Sequence, residues 1–364
     1  MALDKTAVQL FREVLRDSMD DTLAREGVRS ALAINGHSEP TWRAARDGGW
    51  LDILRPGPAD GEGPGLEEFA SVIVEGGARL YGEPLIEHGA AMFALAKCAP
   101  ERADAIEIIA QTRIVIADPA AIAEPLTTER AGEIDATLRA VRFAAAAEHL
   151  LLVYDRKTEG PEVALVNARR PEIKTRILDS FDPYSGYGEI RIASLRPTGD
   201  EIIASGDTAV AFVADLRTAA RLLTACELSG MAARTLDMSA AYAGRRHQFG
   251  KPIGSFQAIQ QILADMVVGS RSLTTMCDRS LERASRRPED RDRVSRVLKA
   301  YAATASRAVV EASLQVHGGI AFTREFVLGS YYTHVLALEG HYGDGHTLAA
   351  ELGAELVNGD LSAL

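Results

Sequence analysis

The stretch that most constrains this chain runs from Ala240 to Asp265, AAYAGRRHQFGKPIGSFQAIQQILAD. One long helix ends there, the chain turns at Gly250, Pro252 and Gly254, and another helix begins. Upstream, between Asp207 and Gly244, small and apolar residues recur at helical spacing (Leu216, Ala220, Leu223, Ala225, Leu228, Met231, Leu236) and no proline interrupts them. That is the pattern of a buried helix, so the two helices make a hairpin. At its corner Arg245, Arg246 and His247 stand beside Phe249 and Gly250. Fixed positive charge, a flat apolar ring and bare backbone in one place suit an anionic ligand. Paired arginines at a helix C-terminus also complement the helix dipole, so charge alone does not choose between the two readings.

Around this hairpin the periodicity changes twice. Residues from Leu3 to about Ala103 read as amphipathic helical pieces, broken at Asn35-Gly36-His37-Ser38 and by the glycine- and proline-rich loop from Pro56 to Gly65. Between about Arg113 and Ser205, short β-branched and aliphatic segments begin at Arg113, Thr137, His149, Glu162, Lys174 and Tyr187. The third and fourth are joined through Lys157-Thr158-Glu159-Gly160-Pro161, and each segment is bounded by Gly, Pro, Asp or Asn. They predict a small antiparallel β-domain. Helices then return: to Gly244, from Ser255 to about Arg286, from Asp290 to about Val316, and from about Glu325 onward, which predicts a four-helix bundle. Helices, strands and helices without βαβ alternation give an α+β class and argue against a Rossmann unit. The expected domains are helical 1–108, β 109–204 and helical bundle 205–364.

Composition excludes several functions. Hydrophobic content of 47% and charged content of 25% over 364 residues suit a folded protein rather than a disordered one. The formal charge of −11 would repel a nucleic-acid backbone, so an anionic ligand must be met by local positive charge. Cys98, Cys226 and Cys277 form no C-x-x-C pair and suggest neither a disulfide framework nor a zinc site, which fits a reducing cytoplasm. The first residues read as an amphipathic helix rather than a signal peptide, and no apolar run reaches membrane-spanning length. His341 and His346 point to different faces of a helix, so no metal site is expected.

The corner is worded R-x-x-F-G-K-P-I-x-x-F-Q-x-x-Q, followed by A-D, and Gln315 to Thr323 reads QVHGGIAFT. These resemble the C-terminal signature and the Q-x-x-G-G-x-G-F segment of the acyl-CoA dehydrogenase family. The W-x-x-x-x-x-x-G-W-L pattern from Trp42 to Leu51 and the E-E-F-A segment from Glu67 are similar to its N-terminal helical domain, a wall of the acyl-chain pocket. The resemblance implies FAD shared across a subunit interface. Arg246 and Phe249 would contact its pyrophosphate and adenine side, with Gln257 on the same wall and Gln315, Gly318 and Gly319 opposite. Gly318-Gly319 also reads as a plain helix C-cap.

Other family features are replaced. A T-E-P-x-x-G-S-D loop and a G-x-K-x-W/F-I/V-T/S strand lie against the isoalloxazine in the family. Here the corresponding segments, Ala117 to Pro125 and Arg139 to Ala147, are rich in alanine. The two base positions fall on Tyr342 and Ala220, and the basic R-x-A-K residue is replaced around Tyr332-Thr333-His334-Val335. Glu227, Glu339 and Asp344 are the nearest acids and read as surface or structural carboxylates, so no catalytic residue is assigned. The implied protein is one subunit of an α2β2 enzyme of the steroid side-chain type, acting on an acyl-CoA. A second acyl-CoA dehydrogenase-like subunit would supply the base, and electron-transferring flavoprotein would be the acceptor. The alternatives are a homotetramer with Asp344 or Glu339 as a displaced base, and a flavin-free scaffold.

Overall fold

A computed structural model describes residues 5–56, 65–117, 126, 132–156, 160–323 and 325–358. Most of the loop expected from Pro56 to Gly65, residues 157–159 of the predicted turn and nearly all of Ala117 to Pro125 lie outside these residues. The chain forms two units, 1–69 with 82–223 and 70–81 with 224–364.

In the first unit, helices α1 (Lys5–Leu23), α2 (Val28–Asn35), α3 (Glu39–Asp47), α5 (Leu85–Cys98) and α6 (Ala103–Gln111) precede the sheets; α4 (Leu66–Gly77) starts in this unit and ends in the other. Extended Ser38 and helix-compatible Pro40 start α3. Its Trp42 is buried under the Arg113 guanidinium, 5.0 Å from the ring. The strands are β1 (Ile114–Ala117), β2 (Ile134–Val141), β3 (His149–Arg156), β4 (Gly160–Asn167), β5 (Ile173–Ile177), β6 (Gly188–Leu195) and β7 (Ile202–Ser205). They form a four-stranded sheet ordered β1-β3-β4-β7 and a three-stranded sheet ordered β2-β6-β5. Leu138, Phe143, Leu150, Leu152, Ile190 and Ile192 belong to one shared apolar core.

The prediction of a wholly antiparallel domain is corrected at β1, which pairs parallel to β3 from Ile114 beside His149 to Ala117 beside Leu152. The intervening β2 belongs to the other sheet, so the chain returns to the first sheet in the same direction. All four β1 residues are buried, as an unalternating apolar strand requires.

Helix α7 (Gly206–Arg245) has residues in both units. In the second unit it packs without gaps: a Cβ on Gly230 would lie 2.0 Å from the Val74 carbonyl, and one on Gly77 would lie 2.4 Å from that of Glu227. Then follow α8 (Gln257–Arg286), α9 (Arg291–His317), α10 (Leu328–Glu339) and α11 (Gly345–Val357). The bundle therefore has five helices among the described residues, not four. The predicted last helix breaks because Tyr342 and Gly343 both take positive φ, at 58° and 115°, and Asp344 caps the next helix by accepting from the His346 and Thr347 N–H groups. No described helix is long and apolar enough to cross a membrane.

Candidate functional site

The corner after α7 is a two-residue hairpin. β8 (His247–Gln248) pairs antiparallel with β9 (Lys251–Pro252), which leaves Phe249 and Gly250 as the turn. Their φ angles, 51° and 78°, are the positive pair that a tight primed turn demands. Glycine takes that conformation freely, whereas a phenylalanine there costs on the order of 1–3 kcal/mol. Phe249 is 92% exposed, and the Phe256 ring lies edge-on to it with centroids 6.1 Å apart. The Arg246 carbonyl accepts from the Ile253 N–H at 2.8 Å and closes the turn. The Arg246 guanidinium is exposed, with no ion pair or side-chain hydrogen bond among the described residues. Gln257, the first residue of α8, is also exposed.

Helix α9 runs back along α8, with Val309 against Gly269, and so brings its own C-terminus to this end of the bundle. Exposed Gln315 lies in its last turn. Gly318 has φ 65° and ψ −143°, a region reserved for glycine, and its N–H caps the helix on the Leu314 carbonyl. Capping thus accounts for Gly318 but not for Gly319, whose φ is not positive. A Cβ on either glycine would meet nothing within 4 Å, so the bare backbone faces open space.

Among the contacts that join α7 to α9, two lie near this corner. The rings of Tyr242 and His317 stack at 4.4 Å with an interplanar angle of 28°. One helical turn away, the Ser239 and Ser313 hydroxyls hydrogen-bond at 2.7 Å. Sequence reasoning gave none of these four residues a role. Each fits a helix interior, and the only signal was the shared helical phase of Tyr242 with Arg246 and of His317 with Ser313.

In the first unit the segment that would face an isoalloxazine turns several of its polar groups inward. The Phe143 N–H donates to the Ser185 carbonyl at 2.7 Å, and Phe143, Ala144 and Ala146 are buried. Arg142 lies 4.8 Å over the Phe143 ring and pairs with Glu87 at 3.3 Å, both side chains at most 4% exposed. A flavin ring requires donors toward its heteroatoms, and this segment offers alanines and a self-neutralised ion pair. Among the described residues, the exposed bundle corner suits the diphosphate and adenosine end of a dinucleotide, and the segment from Arg139 to Ala147 offers few donors to a ring.

The candidate acids are engaged elsewhere. Glu227 lies 3.1 Å from His334 Nε2. Glu339 lies 3.5 Å from Arg307, and burial raises its carboxyl above the ordinary range. The Thr347 and His346 N–H groups hold Asp344 below it. Ala220 and Tyr342 are buried and carry no carboxylate.

Helices, two β-sheets and a helical bundle follow one another along the chain, and comparison with known proteins places this order. The profile described as "Acyl-CoA dehydrogenase, C-terminal domain" matches residues 214–352. Acyl-CoA dehydrogenase IpdE2 of Mycolicibacterium smegmatis is 26% identical over 329 residues, covering 89% of this chain and 90% of its own. The ChsE4-ChsE5 complex from Mycobacterium tuberculosis superposes with a TM-score of 0.84 at 24% identity over 98% of both chains. A variant of the Tcur3481-Tcur3483 steroid ACAD does so at 0.82 and 22%, over 97% of this chain and 98% of that one. Residues 214–352 thus match the C-terminal domain of the acyl-CoA dehydrogenases, and the chain over most of its length is similar to members of that family.

Proposed function

We propose that this chain is one subunit of a hetero-oligomeric, flavin-dependent acyl-CoA dehydrogenase. The complex introduces a double bond between Cα and Cβ of a CoA thioester, and this chain completes the FAD site of a partner subunit that supplies the base. One observation carries the reading. Arg246, Phe249 and Gly319 are exposed, and the Arg246 guanidinium has no ion pair among the described residues, while Arg142, Glu87 and Phe143 pack against one another in the segment that the resemblance sets beside a ring.

FAD, once bound, supplies the two-electron acceptor. The Arg246 guanidinium would meet the diphosphate, for which its planar fork of donors is suited. Phe249 would lie against the adenosine half with Gln257 beside it, and Gln315, Gly318 and Gly319 would let the cofactor approach backbone from the other side. The α-proton goes to the partner's base, because no carboxylate stands at either base position here. A steroid-type acyl group and an α2β2 assembly are supported by the likeness to the two-component ChsE4-ChsE5 and Tcur3481-Tcur3483 structures. Electron-transferring flavoprotein as acceptor rests on the family resemblance.

Arg246→Ala tests the assignment. The complex carrying it should retain less flavin, with about a tenfold or greater loss of FAD affinity, the scale of one charge-assisted contact. Unchanged FAD occupancy would remove the shared-site reading.

A further inference from the structure

His317 is 4% exposed and lies between two rings, Tyr242 of α7 at 4.4 Å and Phe326, from the segment before α10, at 5.1 Å. Its Nδ1 lies 2.9 Å from the Ser313 carbonyl. A carbonyl only accepts, so Nδ1 carries the proton and the neutral ring leaves a lone pair on Nε2. That nitrogen is buried and has no hydrogen-bond partner among the described residues. Tyr242 begins the turn that ends at Arg246, whose N–H donates to the Tyr242 carbonyl at 2.8 Å, and His317 directly precedes Gly318. The imidazole is therefore the wedge between the helix end that carries Arg246 and the helix end that carries Gln315, Gly318 and Gly319.

We propose that His317 is a positioning residue: stacked neutral on Tyr242, it sets the spacing between the Arg246 corner and the Gly318-Gly319 backbone, and so governs how tightly the complex holds FAD. This rests on the reading of the bundle end as the cofactor's diphosphate and adenosine grip. Protonation would place a charge and a second N–H in a pocket whose facing groups are the Tyr242 and Phe326 rings and the Ser313 carbonyl. No charged side chain among the described residues offsets it; burial holds the imidazole below its ordinary value of 6.5, against the Ser313 hydrogen bond. A depressed histidine is neutral at neutral pH, so the clamp is intact there and weakens as the solution is acidified below 6.5.

The test is FAD retention by the co-expressed complex. Flavin released on dilution is read by its fluorescence from about pH 5.5 to about pH 8, spanning the histidine range. Wild-type complex should release more flavin toward the acid end. His317→Phe keeps a stacked ring without a titrating group and should flatten that limb. His317→Ala, which removes the ring, should weaken retention at every pH, by about threefold to tenfold for a lost aromatic pair. An acid limb in His317→Phe that matches wild type, or wild-type retention in His317→Ala at the alkaline end, would overturn the proposal. If His317→Ala fails to assemble, the His317→Phe profile decides alone. Arg246→Ala, measured alongside, separates the two ideas: weakened binding there with indifferent His317 variants sinks the clamp alone, and unchanged binding there sinks the site.

Discussion

Glu83 and His88 share one buried region of the first unit and respond to pH in opposite senses. Glu83 accepts from the Ser38 N–H at 2.9 Å, the Thr41 hydroxyl at 2.6 Å and Arg113 Nε at 3.1 Å. Burial outweighs these partners and pushes its carboxyl up to about 7. His88 donates from Nε2 to the Leu51 carbonyl at 2.8 Å, and burial pushes it down to about 4. The folded state therefore holds a proton on Glu83 between its ordinary 4.5 and about 7, so that contribution to stability falls as pH rises through this window. His88 resists a proton between about 4 and 6.5, so its contribution rises with pH over most of the same range. The two slopes offset in the wild type. Glu83→Gln removes one of them, and denaturant midpoints across this window should then rise with pH more steeply than in wild type. Parallel profiles would refute the account.

At the scale of elements, the turn between α10 and α11 decides what the last acids do. Lys299 of α9 is fully buried, and its ammonium donates to the Glu339 carbonyl at 2.8 Å and the Gly343 carbonyl at 3.1 Å. It satisfies carbonyls at and beyond the end of α10, where a cation also favours the helix dipole. Lys299→Met should lower stability by roughly 1–3 kcal/mol for each carbonyl left unmet and speed amide exchange from Gly340 to Thr347; unchanged exchange there would show that the turn stands without it. Asp344 starts the next helix, so Asp344→Ala should cost about 1 kcal/mol of stability. Turnover should stay far from the roughly hundredfold loss that removing a general base brings; a loss on that scale would revive Asp344 as a displaced base. This break was partly legible, since Gly340, Gly343 and Asp344 are stop and start residues. The buried lysine was not, because nothing local marks which lysine will meet carbonyls 40 and 44 positions away.

For the whole molecule, the proposed division of labour, with a bundle corner that would hold FAD and no ring site on the same chain, predicts dependence on a companion. Purified alone, the chain should be colourless; co-expressed with a second acyl-CoA dehydrogenase-like chain, the complex should show a flavin absorbance spectrum. A yellow protein from this chain alone would favour the homotetramer, and a colourless co-purified complex would leave a scaffold.

The sequence by itself determined the helix, strand, helix order, the corner after α7 and the family resemblance, because these depend on local periodicity, turn chemistry and contiguous motifs. Of the nine described strands it placed six, β1 to β6. β7 escaped because its pairing with β4 is set at a distance along the chain. Only the tertiary structure decided that β1 runs parallel to β3, that Arg142 and Glu87 consume each other's charge, and that Tyr242 and His317 bind two helix ends together. Each of these joins residues far apart in the chain, and a side chain's partner across such a separation is fixed by packing rather than by its neighbours in sequence.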